Sequence, residues 1–209
     1  MSITYILIGI TVLISWYSFS QTDVLRKFMM NPYLINSRNE YYRFITSGFI
    51  HKDFVHLLWN MISLYFFGSV VERIFMMIFG ATKGGAYFVA LYILGIIVSD
   101  LPTYLKNRHN PGYNSLGASG GVASVIFTSI IFFPINKICI YIAFCLPGFI
   151  LGLIYLIYSY FHGRKSMDNI NHDAHLYGAL FGLVFSVVMY PPSIRNFFSQ
   201  LMQWDGSIF

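Results

Sequence analysis

Residues 116–133 read LGASGGVASVIFTSIIFF, eighteen positions without one charged side chain. A helix needs roughly 17 to 25 mostly apolar residues to cross the hydrocarbon of a bilayer, and this stretch meets that length. Its first turns carry Gly117-Ala118-Ser119-Gly120-Gly121, a small-residue cluster around a hydroxyl. Five more apolar runs flank it at about 3–19, 54–71, 84–99, 138–158 and 173–190. None alternates with period two, so helices rather than a closed barrel are predicted. The reading is an all-α, polytopic membrane protein, with six transmembrane helices in one domain spanning 1–209.

Composition agrees. Of 209 residues, 56% are hydrophobic, 19% aromatic and only 10% charged, with mean hydropathy +0.62. Water-soluble domains carry about 25% charged residues. No repeat of 20–50 residues and no low-complexity linker divides the chain. The first run has no Lys or Arg before Arg26 and no small-residue cleavage site, so it is expected to stay as an anchor. Cys139 and Cys145 fall inside the fifth run and are expected to be buried apolar packing rather than a disulfide or metal pair.

The net charge is +5, yet nine of the thirteen Lys and Arg lie between runs 1–2, 3–4 and 5–6. Lipid headgroups account for such loops without nucleic acid. The long connection 21–53 mixes Leu25, Phe28, Met29, Met30 and Tyr33 with Arg26, Lys27, Arg38 and Arg43, as suits a partly embedded interfacial loop.

Polar groups inside a membrane are costly and are functional candidates by default. With six spans, the second, fourth and sixth run in one direction, which puts His56, Asn60, Ser119 and His175 at one level. Ser119 is useful as a nucleophile only if a base takes its proton at roughly 2.6–3.2 Å. His175 is the candidate base, provided two helices touch closely. Gly117 and Gly121, and Ala174, Gly178 and Gly182, supply the small-x-x-x-small spacing that permits this. His56 and Asn60 share a face at i and i+4 and are candidate donors to a developing oxyanion. Neither Asp173 nor Glu72, about 24 Å deeper at 1.5 Å per residue, is placed to orient His175, so a Ser–His dyad is expected. Glu72 is expected to be held by hydroxyl or backbone donors near the opposite face. No HExxH pattern occurs, and neither metal nor cofactor is expected.

These residues together resemble the rhomboid family of intramembrane serine proteases, from about Tyr42 to the end of the sixth run. Gly117-Ala118-Ser119-Gly120 looks like the family's GxSG signature. His51, His56 and Asn60 match HxxxxHxxxN, while Ala174-His175 with Gly178 and Gly182 resembles AHxxGxxxG. The resemblance implies Ser119 as nucleophile, His175 as base, and His56, Asn60 and the Ser119 amide as oxyanion donors. Gly117, Gly120, Gly178, Gly182, Glu72 and Arg43 are implied as supporting residues. It also implies membrane-protein substrates, a minimal prokaryotic six-helix form in a bacterial inner membrane, and cytoplasmic termini.

Three features depart from this picture. The loop's Trp-Arg pair is Tyr42-Arg43 here. The aromatic that some members place four residues after the serine is Ala123, which leaves His175 to be held by backbone packing or another ring. The implied orientation puts nine Lys and Arg outside and four (73, 83, 137, 195) inside, against the positive-inside rule. Two other readings stand beside the protease. One is a non-catalytic rhomboid-like protein that binds or remodels client helices. The second, a small-molecule carrier, is weakened by the lack of an inverted repeat. A movable cap at 161–172 and a flexible Pro147-Gly148 in the fifth span are further expectations.

Overall fold

The computed structural model describes residues 2–140, 144–163 and 171–206. Helix α1 (Ile3–Ser20) leads into a loop that is itself folded: α2 (Thr22–Phe28), α3 (Pro32–Arg38), α4 (Arg43–Thr46) and a 3-10 turn over Ser47–Phe49. Asn31 caps α3 by accepting from Leu34 N at 2.8 Å, with Pro32 at the first helical position, where its missing N–H costs nothing. Arg43 is the tie within this loop. Only 4% exposed, it donates through Nε to Glu40 at 2.6 Å, and through one terminal nitrogen to the carbonyls of Arg26 at 2.9 Å and Met29 at 2.8 Å.

Helix α5 (Phe54–Ser63) starts at Asp53, whose carboxylate accepts from His56 N at 2.8 Å. It continues through a π-helical turn, Leu64–Gly68, into α6 (Ser69–Phe79). Then follow α7 (Ala81–Asn107), α8 (Ser119–Phe132), a hairpin of β1 (Lys137–Ile140) and β2 (Phe144–Pro147), α9 (Gly148–Gly163), α10 (His172–Met189) and α11 (Pro192–Met202). Among the described residues, four helical stretches are long and apolar enough to cross a membrane: 3–20, 54–79, 81–107 and 172–189. The apolar helices α8 and α9 are shorter. The chain is thus a helical membrane bundle with almost no sheet.

The fifth run departs from its expected course. Lys137–Ile140 and Phe144–Pro147 pair as antiparallel strands rather than forming the first turns of a helix, and Cys139 faces Cys145 across them in a disulfide. The expectation of two unbonded packing cysteines is therefore corrected. Residues six apart point about 120° away from each other around a helix, but the antiparallel register sets these two directly opposite each other. Pro147-Gly148 likewise marks the junction of β2 with α9, not a point inside a helix. Of the expected cap, Ser166, Asp168 and Asn169 lie outside the described residues.

Helix α8 is the buried axis of the bundle: nearly every residue from Gly120 to Ile131 is inaccessible. It is sandwiched between α7 and α10. A Cβ at Gly120 would overlap Ser99 of α7, and one at Gly178 or Gly182 would strike the backbone of α8 at Gly120 or Ser124. Leu64, Val71, Phe75, Phe88, Leu91, Tyr92 and Val125 fill the core beside it.

Candidate active site

Ser119 is the first residue of α8, so its backbone N–H has no intrahelical acceptor and lies at the positive end of the helix dipole. The turn before it depends on Gly117. That residue has φ +119°, a region closed to ordinary L side chains, and a Cβ there would come within 2.5 Å of the His56 ring. The imidazole of His56 therefore lies directly over the backbone two residues before Ser119. Asn60, one turn further along α5, donates to the His56 carbonyl at 3.0 Å, and its amide carries a second donor hydrogen.

His51 fixes the same turn from beneath. It is 0% exposed, and its Nε2 accepts from Ala118 N at 3.3 Å. That assignment puts the proton on Nδ1, which donates to Ser15 Oγ at 2.9 Å, and Ser15 in turn donates to the Phe49 carbonyl at 3.0 Å. Burial, with help from the neighbouring His56, pushes the His51 pKa down to about 3, so the ring is neutral as this chain of bonds requires. Gly117 N also donates to the Ser47 carbonyl at 2.9 Å.

Helix α10 brings His175 to the same end of the bundle. Asn171 caps it by accepting from Ala174 N at 3.1 Å. The backbone contact of Gly178 with Gly120 sets the register: His175 lies one turn before the contact on α10, and Ser119 one residue before it on α8. The His175 ring stacks on Tyr155 of α9, with centroids 6.1 Å apart and planes 21° apart.

Beside Ser119 is a cavity of about 20 Å³ lined by Ser99, Asp100, Gly117, Ser119, Asn171 and Ala174 among others. A space of ~10–15 Å³ on this measure admits one water, provided polar partners are present. Asp100 supplies one such partner. It is 8% exposed and accepts from Ser47 Oγ at 3.4 Å and from Asn171 Nδ2 at 3.4 Å. Asp173, by contrast, pairs with Lys106 at 3.6 Å. Sequence reasoning missed Asp100, Asn171, Ser15 and Tyr155. The signal for Asp100 was its charge within an apolar helix; the other three gave none.

A second, larger cavity of about 430 Å³ runs between α5 and α9, lined by Trp59, Ser63, Phe67, Ala123, Phe127, Ile138, Cys139, Leu151 and Tyr155 among others. At the far end of the bundle, Glu72 accepts from Ser2 Oγ at 2.6 Å, Ile3 N at 2.7 Å, Thr4 N at 2.9 Å and Thr4 Oγ1 at 2.6 Å, which ties α6 to the start of α1. Among the described residues no group of three or more His, Cys, Asp or Glu is arranged to hold a metal.

A family model described as Rhomboid domain matches residues 38–192. The chain is 29% identical over 184 residues to RHOMBOID-like protein 12, mitochondrial, of Arabidopsis thaliana, covering 80% of this chain and 52% of that protein. It is 29% identical over 164 residues to Rhomboid-like protein 11, chloroplastic, of the same plant, covering 73% and 54%. To the Presenilin-associated rhomboid-like protein, mitochondrial, of Mus musculus it is 30% identical over 183 residues, covering 78% and 41%. The chain thus spans about half the length of the curated relatives it matches. Their mitochondrial and chloroplastic names lend no support to the prokaryotic, bacterial inner-membrane setting expected from the sequence.

Proposed function

The chain belongs to the rhomboid family, and from that premise we propose that it is an intramembrane serine endopeptidase acting on transmembrane segments of other membrane proteins. Helices α8 and α9 complete six spans in this reading. The observation that carries it is the backbone contact between Gly120 and Gly178, which draws the Ser119 and His175 helices together, with His56 laid over Gly117 on the remaining side.

In the mechanism, a locally unwound substrate helix enters from lipid through the groove between α5 and α9. Ser119 Oγ attacks a carbonyl carbon as His175 takes its proton. Negative charge on the carbonyl oxygen meets the Ser119 amide, His56 and Asn60, donors already fixed before the reaction and therefore effective. His175 then protonates the leaving amine as the C–N bond breaks. A water, whose proton passes to His175, attacks the acyl ester; as the bond to Ser119 Oγ breaks, His175 returns that proton to Oγ and the new carboxyl group is freed. The cavity beside Ser119 and Asp100 has room for that molecule.

Reconstitution in liposomes with a single-span substrate tests this. Ser119→Ala and His175→Ala are expected to abolish cleavage and fluorophosphonate labelling while keeping the wild-type melting profile. Cleavage undiminished by either change would refute the assignment.

A further inference from the structure

Rings of α9 and α10 interleave, with His162 of α9 stacked on Tyr158 at 3.9 Å and 5.6 Å from His172. Tyr155 and Tyr158 stand one turn apart on α9, His175 and His172 one turn apart on α10, and the antiparallel helices set them in pairs. Tyr155 stacks on His175 with planes 21° apart, whereas Tyr158 meets His172 edge-on at 5.7 Å and 74°. His172 and His175 themselves meet edge-on at 6.0 Å. Tyr155 also touches Phe127 of α8 at 5.7 Å, and its ring lines the large groove beside Ala123, where α8 offers only a methyl group. The aromatic surface under His175 thus comes from α9, a helix that is itself one wall of that groove.

We propose that Tyr155 is the positioning residue for His175, and that it makes the alignment of the base depend on where α9 stands. This rests on the protease reading above. An imidazole that must lift a proton from Ser119 works only with its ring plane and tilt held, and a parallel stacked ring constrains both. Because Tyr155 also borders the groove, an occupant that displaces α9 shifts the support of the base in the same motion. Helix α9 is anchored at its start by Gly148 N to the Asn136 carbonyl and Phe149 N to the Pro134 carbonyl, both at 2.9 Å. Displacement of its later turns about that fixed end swings the Tyr155 ring.

A small fluorophosphonate probe reads Ser119 activation without filling the groove. Tyr155→Phe keeps the ring and is expected to label at the wild-type rate. Tyr155→Met keeps the bulk but not the flat face, and its labelling rate is expected to fall about tenfold, the upper end of what one ring contact is worth. The pH at which labelling is half-maximal is expected to move with it. Adding Ala123→Phe to Tyr155→Met supplies a ring from α8 and is expected to recover most of the loss. Wild-type rate and pH midpoint in Tyr155→Met, or an equal loss in Tyr155→Phe, would overturn the proposal. Should Tyr155→Met fail to fold, the histidine ring proton signals of Tyr155→Phe and Tyr155→Leu in micelles decide: only loss of the ring is expected to shift the His175 resonance. Labelling of wild type that survives Ser119→Ala would instead refute the protease reading, a result distinguishable from these.

Discussion

Gly117 shows how much one backbone angle decides at the residue scale. Its φ of +119° and the His56 ring over it leave no room for a side chain. Gly117→Ala adds about 1–3 kcal/mol of backbone strain and pushes His56 aside. We expect a fall in kcat/KM on the order of 10², the worth of one oxyanion donor, with helical content unchanged by circular dichroism. His51 carries a pH prediction. Its folded pKa of about 3 lies below the ordinary 6.5, so between those values the unfolded chain binds the extra proton. Its contribution to stability is therefore complete above about pH 6.5 and is lost progressively as the pH falls toward 3. The Tm of the wild type in micelles is expected to decline over that interval, and that of His51→Gln to decline less steeply. Ser119, His175, His56 and Asn60 were legible as candidates because intramembrane polar residues are few and helix direction alone sorts them by level. Tyr155 was not, since an aromatic in an apolar run carries no mark of what its face will meet.

At the scale of elements, the contact between α8 and α10 is made of absent side chains. Gly178→Leu drives carbons into the Gly120 backbone and separates the two helices, so fluorophosphonate labelling is expected to vanish, whereas Val188→Leu, on the exposed outer face of the same helix, is expected to leave it intact. Five of the expected runs became helices with shifted ends; the fifth kept its helix only from Gly148. KICIYIAFCLP is rich in β-branched and aromatic residues, and a short apolar run of that kind does not declare its period. A register in which Cys139 meets Cys145 becomes visible only once the strands pair. The second span holds the reverse case, since nothing in Leu64–Gly68 announces the π turn that divides α5 from α6. At the end of that span, Glu72→Gln weakens a carboxylate that gathers four donors from Ser2, Ile3 and Thr4. A loss of about 1–3 kcal/mol in reversible unfolding is expected, without a change in the labelling chemistry of Ser119.

The whole molecule is polarised by charge and by redox chemistry together. In the sequence, nine of the thirteen Lys and Arg fall in the connections between runs 1–2, 3–4 and 5–6, whereas the disulfide-bonded strands β1 and β2 follow the end of α8 far from Ser119. The positive-inside rule and the persistence of disulfides in oxidising compartments favour one and the same orientation, with the disulfide on the non-cytoplasmic side. That is the reverse of the orientation implied by the rhomboid resemblance. In sealed membrane vesicles of known sidedness treated with an impermeant phosphine and then an impermeant maleimide, Cys139 and Cys145 are expected to label from the non-cytoplasmic face; labelling only from the other face would restore the other orientation. On the protease reading, the bundle's smaller cavity bears on which second reactant is favoured. A chamber of about 20 Å³ beside Ser119 and Asp100 has room for a molecule the size of water. Water is therefore expected to outcompete methanol offered at equal concentration as acceptor of the esterified serine, a preference read from the ratio of free acid to methyl ester on the severed chain.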